Sequence, residues 1–250
     1  MALKVTVFPC LTDNYGFLAQ DEATGRVACI DAPDPPKIAH KMAELHLHRM
    51  DLLLNTHWHP DHAGGNATLK LEYGCVIHGP PEVTQMGPLD HVAAPGGHVM
   101  VGETRLDVLD LGGHTAGLIG WHDAAGHQVF VGDCLFTLGC GRLFEGTREQ
   151  FWASLLRLCA LPDNTVVYHA HEYTMANLAF AESLCMDAAL AMRGAKLRAM
   201  RERGEATSPT TMAEEKATNP FLVYPLREKT FEAQAAKFGE LRAAKDVFKS

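Results

Sequence analysis

A continuous apolar run, MDLLLNT at residues 50–56, passes directly into the polar segment HWHPDHAGGN. An apolar run that stops so abruptly predicts a strand buried on both faces of a sheet. Such strands belong to layered α/β domains, in which helices cover the sheet and functional side chains lie on loops along one sheet edge. The segment therefore predicts an α/β fold with a site that begins where this strand ends.

The remaining sequence predicts alternating strands and helices, followed by a helical tail. From about residue 174 the composition shifts to Ala, Leu, Met and Arg without β-branched runs, which predicts one long or broken helix. A further helix is expected to start at Ser208 or Thr210, and one or two more over 229–249. The elements predicted before the tail are strands at 3–9, 11–20, 27–31, 50–56, 75–79, 118–123, 127–133 and 165–171, paired strands within 98–111, and helices at 36–49, 66–73 and 148–160.

The segment NTHWHPDHAGGN contains four potential metal ligands: His57, His59, Asp61 and His62. In an extended segment alternate side chains share one face, so His57 and His59 can reach one ion together. Asp61 and His62 follow Pro60, where the chain must turn, and can face a second ion. Imidazole nitrogens and carboxylate oxygens suit zinc, iron or manganese. A polar loop with hydrogen-bonded histidines is the alternative, and it explains a single histidine better than this set.

Three later strand ends hold further candidate ligands. LDLGGHTAG places His114 after a strand, and VFVGDCLF places Asp133 in the same setting. Taken alone, Asp133 is equally compatible with a helix cap. Together with the other strand-end ligands it is better interpreted as a carboxylate that bridges two metals. VVYHAHEYT contributes His169 and His171, and spacing alone leaves both open.

Charge and cysteine usage restrict the location and the partners. The net charge of -8 opposes binding to nucleic acid. Seven cysteines without a CxxC pair indicate reduced thiols and a cytoplasmic location. The N-terminus lacks the apolar run of a signal peptide, and no stretch approaches the ~20 apolar residues of a membrane helix. We therefore expect neither a nucleic-acid nor a membrane partner. We also expect a monomer, although charge and cysteine usage do not bear on the oligomeric state.

The runs THWHPDH, GHTAG, GDCLF and HEYT, in this order, resemble the metallo-β-lactamase superfamily. Within it, CGRLFEGT, EEKATNPF and RAAKDVFK are similar to the glyoxalase II family, so the resemblance extends through the tail. It implies a four-layer αβ/βα sandwich with a C-terminal α-helical domain. It also implies a metal-binding catalytic domain over residues 1–172 and a helical glutathione-binding domain over 173–250.

The resemblance implies two divalent metal ions per chain, with zinc expected and iron or manganese as alternatives. It makes Asp133 the bridging ligand and gives Asp61 and Asp133 catalytic roles. The HEYT match selects His171 rather than His169. The ligands it implies are His57, His59 and His114 for the first ion, and Asp61, His62 and His171 for the second.

The family pattern also implies a pocket for the glutathione carboxylate. Arg142, Arg242 and Lys245 stand at the matching basic positions, and Tyr173 lines the same pocket. Without the resemblance, Arg242 and Lys245 would be assigned to a solvated helix face. The chain departs from the family at Phe144, which replaces a tyrosine that would hydrogen-bond glutathione, and at Arg142, which replaces a lysine.

The implied activity is hydrolysis of S-D-lactoylglutathione and other 2-hydroxyacyl-glutathione thioesters to D-lactate and glutathione, the second step of methylglyoxal detoxification. A hydroxide bridging the two metals would be the nucleophile. One alternative is a mono-iron oxidoreductase similar to glutathione persulfide dioxygenases. Another is a non-catalytic metal- or thiol-binding module, although the implied ligand set is complete. A lactonase or β-lactamase would not need the tail, and the net charge opposes a nuclease.

Overall fold

The computed structural model describes residues 2–185 and 187–249. The chain divides into two compact units. The first unit consists of Met1–Asp110 and Gly117–Gly132, and the second of Leu111–Ala116 and Asp133–Ser250. No helix in the described ranges is both long and apolar enough to cross a membrane.

The first unit contains a six-stranded sheet whose strands follow one another in sequence order. They are β1 (Lys4–Cys10), β2 (Asn14–Gln20), β3 (Val27–Ile30), β4 (Leu52–Leu54), β5 (Val76–Gly79) and β6 (His91–Val92). The first three strands are antiparallel, and β3 to β6 are parallel. The apolar run forms β4, which pairs on both sides, as expected for a buried parallel strand.

A second, antiparallel sheet in this unit faces the first. Its strands are β7 (His98–Val101), β8 (Thr104–Asp110), β9 (Ile119–Asp123) and β10 (Gln128–Gly132), each paired with the next. Phe17 of β2 packs edge-on against Phe130 of β10, with ring centroids 5.9 Å apart. Trp121 Nε1 donates to the Asn55 carbonyl at 3.2 Å. The loop after β4 is thus held against the second sheet.

Three α-helices of the first unit follow strands of the six-stranded sheet: α1 (Pro35–Glu44), α2 (Pro60–Ala63) and α3 (Asn66–Tyr73). A 3₁₀ turn covers Pro81–Gln85. Ile38 and Met42 of α1 are buried in the core against the sheet. Helix α1 is shorter than the predicted 36–49 because His46 takes a positive φ of 54°, which a right-handed helix cannot accommodate.

The second unit contains short strands and most of the helices. The strands are β11 (Leu135–Phe136), β12 (Gly139–Cys140), β13 (Val166–His169) and β14 (Thr210–Thr211). The helices are α4 (Arg148–Cys159), α5 (Thr174–Leu184), α6 (Ala188–Glu202), α7 (Met212–Thr218), α8 (Pro220–Val223) and α9 (Phe231–Val247), with a 3₁₀ turn at Pro225–Arg227. Aromatic rings of α4, α8 and α9 pack against one another in its interior: Phe151, Trp152, Phe221 and Phe238.

The helical tail is confirmed, with two refinements. The long helical segment is broken between α5 and α6, where Asp187 accepts from the Leu190 amide at 2.9 Å and caps α6. The predicted cap at Ser208 or Thr210 is wrong, because the capping residue of α7 is Thr211. Thr210 and Thr211 extend as β14, and Thr211 accepts from the Glu214 amide at 3.2 Å.

Helix α7 and the residue that follows it hold the β11–β12 hairpin. Leu138, in the turn of the hairpin, has a φ of 58°, and its amide donates to Glu215 Oε2 at 3.0 Å. Asn219 Nδ2 donates to the carbonyls of Phe136 at 3.2 Å and Gly139 at 3.0 Å. Backbone groups of a buried turn need such partners, because an unmade hydrogen bond inside a protein is costly. Side chains from the motif EEKATNPF therefore support this hairpin.

Candidate metal centre

Four of the expected ligands lie in the first unit, directly after β4. Pro60 occupies the first position of the short helix α2, where a proline is well tolerated. The turn predicted at this proline is thus the start of a helix, which contains Asp61 and His62. His57 and His62 are almost fully buried, whereas the Asp61 carboxylate is about one-third exposed.

Ligand atoms of these side chains converge in two pairs. His57 Nε2 lies 3.1 Å from His59 Nδ1, and His62 Nε2 lies 3.6 Å from Asp61 Oδ2. Asn14 Nδ2 donates to the same Asp61 oxygen at 3.0 Å and aims the carboxylate. Two imidazole lone pairs this close repel each other unless a proton or a cation lies between them. The geometry of the donor atoms therefore fits metal ligands.

In His57 and His62 the second ring nitrogen, Nδ1, contacts a side chain that the sequence interpretation missed. Thr56 Oγ1 lies 3.1 Å from His57 Nδ1, and Asp31 Oδ2 lies 2.8 Å from His62 Nδ1. A signal for Asp31 was present in the sequence, because it ends the strand VACID in the way that Asp133 ends VFVGD. A metal-binding histidine commonly donates its second ring nitrogen to such a partner.

The other three expected ligands lie in the second unit and contact one another. His114 Nε2 is 3.3 Å from Asp133 Oδ2, and His171 Nε2 is 3.2 Å from Asp133 Oδ1. His114 Nδ1 donates to the Arg142 carbonyl at 2.8 Å, so its Nε2 is left as the ligand atom. Each oxygen of the Asp133 carboxylate faces a different imidazole. This is the arrangement expected of a carboxylate that bridges two metals.

The structure distinguishes the two histidines at the end of β13. His171 contacts Asp133 and stacks on the Tyr173 ring, with centroids 4.7 Å apart. His169 is fully buried and lies with its Nε2 2.8 Å from Thr137 Oγ1. Burial lowers the pKa of His169 to about 4, so this ring is neutral at physiological pH. Of the two, His171 has the environment of a ligand.

Arg242 does not lie on a solvated helix face. Its side chain is buried, and Nη1 donates to the Cys140 carbonyl at 2.9 Å. Nη2 donates to Asp246 Oδ1 at 3.0 Å, and the guanidinium packs over the Phe221 ring. Arg242 is thus already hydrogen-bonded within the second unit.

A group of cations surrounds Asp246. Arg142 Nε is 3.9 Å from Asp246 Oδ1, which Arg242 also contacts. Lys245 Nζ donates to the Ala176 carbonyl at 2.8 Å. Burial, and then the charges of Arg242 and Arg142, lower the pKa of Lys245. Three cations around one carboxylate leave a positive excess that favours an anionic ligand.

The two aromatic residues predicted to bind substrate are both accessible. Phe144 is 60% exposed, and its ring centroid lies 5.2 Å from that of His114. Tyr173 is 38% exposed and packs against Phe136 as well as His171. Both rings therefore lie beside expected metal ligands of the second unit and remain open to solvent.

Comparison with family models divides the chain into two matched ranges. Residues 33–171 match the metallo-β-lactamase superfamily, and residues 172–248 match the hydroxyacylglutathione hydrolase C-terminus. Among curated proteins, the hydroxyacylglutathione hydrolase of Erythrobacter litoralis is 43% identical over 98% of this chain and 100% of that protein. That of Rhizobium meliloti is 40% identical over 99% of each.

Two solved structures are similar over most of the chain. ETHE1 from Myxococcus xanthus has a TM-score of 0.70 at 27% identity, covering 96% of this chain and 91% of that one. TTHA1623, solved in a di-iron-bound form, has a TM-score of 0.64 at 25% identity, covering 88% of this chain and 100% of that one.

Proposed function

Since the chain belongs to the hydroxyacylglutathione hydrolase (glyoxalase II) family of the metallo-β-lactamase superfamily, we propose that it hydrolyses S-D-lactoylglutathione and related 2-hydroxyacyl-glutathione thioesters to the hydroxy acid and glutathione. Its fold is the metallo-β-lactamase fold with a C-terminal helical region. The observation that carries the proposal is the near-complete match to curated hydroxyacylglutathione hydrolases at 40–45% identity. The same match favours a hydrolase over the persulfide dioxygenase-like alternative.

We propose that the expected ligands hold two divalent metal ions. The converging nitrogens of the first unit and the two-sided contacts of Asp133 in the second support this proposal. Zinc is expected, and the di-iron-bound TTHA1623 supports iron as the alternative. The proposed ligands are His57, His59 and His114 for one ion, Asp61, His62 and His171 for the other, and Asp133 for both.

Metal ions bound there would lower the pKa of water and polarise the thioester carbonyl. Side chains of the protein would orient the attacking water and hold the proposed metal ligands in place. Asp61, aimed by Asn14, would accept a hydrogen bond from the attacking water. His171 would be held in place by its stacking on Tyr173. The departing thiolate, with an ordinary pKa of roughly 8.5, needs no strong general acid.

The basic group around Asp246 supports binding of the glutathione carboxylate in the second unit. Its proposed members are Arg142, Arg242 and Lys245, of which Arg142 is exposed, Lys245 half-buried and Arg242 buried. Phe144 and Tyr173 would contact the substrate through their rings. We assign catalysis to residues 1–172 and glutathione binding to 173–250, which the two matched ranges support. We further propose a cytoplasmic location, which the seven free thiols among the described residues support. We also propose that the chain is a monomer.

Removal of the metal is the direct test of this function. The purified chain is expected to contain about two metal ions and to hydrolyse S-D-lactoylglutathione. Chelation should abolish hydrolysis, and added zinc should restore it. Metal content is measured by mass spectrometry and hydrolysis by loss of the thioester absorbance. Full activity of a metal-free preparation, or oxygen uptake with glutathione persulfide in place of hydrolysis, would refute the proposal.

Lys245→Met is expected to raise KM for S-D-lactoylglutathione about 10-fold with kcat within about twofold, because a charge-assisted hydrogen bond to the substrate is lost. Because the pKa of Lys245 is lowered, KM of the wild-type chain should begin to rise at a lower pH than it would if this lysine had the ordinary pKa of ~10.4. This rise should be absent from the variant. Lys237→Met, on the same helix α9, is the control. An unchanged KM for Lys245→Met would show that Lys245 does not bind the substrate.

A further inference from the structure

Two buried oxygen atoms of the β9–β10 hairpin have no hydrogen-bond donor among residues 2–185 and 187–249, the part of the chain that the structure describes. Asp123 is 1% exposed, and its Oδ1 accepts from the Gly126 amide at 2.8 Å, whereas its Oδ2 has no partner. Gln128 is 9% exposed, and its Oε1 has no partner either. The two residues are directly paired across the hairpin, so their side chains lie next to each other on one face of the sheet.

The Gln128 amide is oriented by the residue that precedes β1. Its Nε2 donates to the Leu3 carbonyl at 3.1 Å. A carbonyl oxygen only accepts, so the amide nitrogen must face Leu3, and exchanging it with Oε1 would bring two oxygens together. Leu3 is itself 2% exposed, which fixes this segment against the second sheet. Oε1 of Gln128 is therefore an acceptor that lacks a donor.

The backbone of Ala2 lies beside the same carboxylate. A Cβ built on Gly126 would stand 2.2 Å from Asp123 Oδ2 and 2.8 Å from the Ala2 Cα, so those two atoms are close neighbours. Ala2 is exposed, and its nitrogen is one covalent bond from this Cα. While residue 1 is attached, that nitrogen is an uncharged amide with a single hydrogen. Cleavage of the peptide bond before Ala2 would turn it into a primary amine.

A positively charged donor suits the two oxygens. A buried carboxylate oxygen without a hydrogen bond is costly, and a cation that donates to it removes the cost. An ammonium group has three donors, enough for Asp123 Oδ2, Gln128 Oε1 and a water molecule. A calcium ion would need about 6–8 oxygen ligands, and these side chains supply too few. An ammonium group therefore fits the two acceptors better than such an ion.

We propose that the peptide bond between Met1 and Ala2 is hydrolysed and that the α-ammonium group of Ala2 then pairs with Asp123 and Gln128. Water adds to the carbonyl carbon of Met1, the C–N bond breaks, and the nitrogen leaves as an amine that takes up a proton. A free α-amino group has a pKa of about 7.7–8.0, so it is mostly charged at neutral pH. An aminopeptidase that removes methionine before a small residue is the class of enzyme that supplies this step. The proposal does not depend on the metal centre.

Thermal unfolding of the full chain with and without Met1 tests the pairing. The unprocessed form is prepared in cells whose methionine aminopeptidase is inhibited, and part of it is then treated with the purified aminopeptidase. Removal of Met1, verified by intact mass, should raise Tm by about 3 °C, because the new pair joins the segment before β1 to the β9–β10 hairpin. In Asp123→Asn this shift should be absent, since an amide carries no charge. Asp107→Asn, whose carboxylate pairs with Arg105 on β8, is the matched control and should keep the shift.

The reactivity of the α-amine gives a second measurement. With an activated ester at neutral pH, the processed chain should be acylated on Ala2 about 10-fold more slowly than processed Asp123→Asn, because a carboxylate partner holds the amine in its unreactive protonated form. Mass spectrometry of the peptides locates and quantifies the acyl group.

Several results would overturn the proposal. One is a chain that keeps Met1 throughout when it is expressed with active aminopeptidase. Others are an equal Tm for the two forms of the wild-type chain, or equal acylation rates for the processed wild-type chain and processed Asp123→Asn. If sodium, potassium or calcium chloride stabilised the unprocessed chain, and Asp123→Asn removed that effect, the two oxygens would belong to an inorganic cation instead.

Discussion

Asp133→Asn is expected to lower kcat/KM for S-D-lactoylglutathione by at least about 10³-fold, which corresponds to about 4 kcal/mol of transition-state stabilisation. Each oxygen of the Asp133 carboxylate faces an imidazole nitrogen, that of His114 or that of His171. An amide keeps one of these oxygens and replaces the other by an NH₂ group, which cannot bind a metal. The oxygen ligand would thereby be lost to one of the two proposed ions, and the negative charge of the carboxylate would be lost to both.

The matched control is Asp123→Asn, the same chemical change at another buried strand-end aspartate. Asp123 lies at the end of β9, and its Oδ1 accepts from the Gly126 amide at 2.8 Å. We expect its activity to stay within about twofold and its metal content to be unchanged. An Asp133→Asn chain that binds two ions and retains more than a tenth of the activity would contradict the bridging role.

Glu215→Ala is expected to lower the free energy of unfolding by about 3–5 kcal/mol. Glu215 is fully buried and forms an ion pair with Arg193, which is itself buried. Its other oxygen accepts from the Leu138 amide and from Asn219 Nδ2. Alanine would leave an uncompensated buried guanidinium and a backbone amide without an acceptor. For a chain of this size the loss corresponds to about 10 °C in Tm.

Thermal and urea unfolding, followed by circular dichroism, measure this effect. Glu240→Ala is the matched control, because Glu240 pairs with Lys237 on the exposed face of α9. Exposed ion pairs contribute about 0–1 kcal/mol, so its Tm should change by at most a few degrees. If Glu215→Ala unfolded like Glu240→Ala, the buried pair would not contribute to stability.

The sequence was most informative where chemistry and secondary structure coincide locally. His57, His59, Asp61 and His62 lie within six residues at the end of an apolar strand, so they could be recognised as one set of ligands. Asp31 could not be assigned to this set, because it contacts His62 across 31 residues of chain. Such a contact depends on the parallel pairing of β3 with β4, which local patterns do not specify.

The environment of Arg242 could also not be predicted from the sequence. Its position in an amphipathic helix is compatible with either a solvated or a buried side chain, and the structure shows it buried. Its partner is the carbonyl of Cys140, 102 residues away in the sequence. Helical periodicity predicts which face of a helix is buried, but not which distant backbone group that face meets. The helix cap at Thr211 was missed for a similar reason, because the pairing of β14 with β13 shifts the helix start.

Glu215 and Asn219 hold the β11–β12 hairpin, and this has a consequence for protein engineering. The hairpin lies between Asp133, a proposed ligand, and Arg142, a proposed contact of the substrate, yet its turn depends on side chains some 80 residues further along the chain. Grafting onto residues 1–172 a tail that lacks Glu215 or Asn219 would leave the backbone groups of this turn without their acceptor or donor. A successful chimera would therefore have to keep both side chains, or transfer residues 133–142 together with the tail.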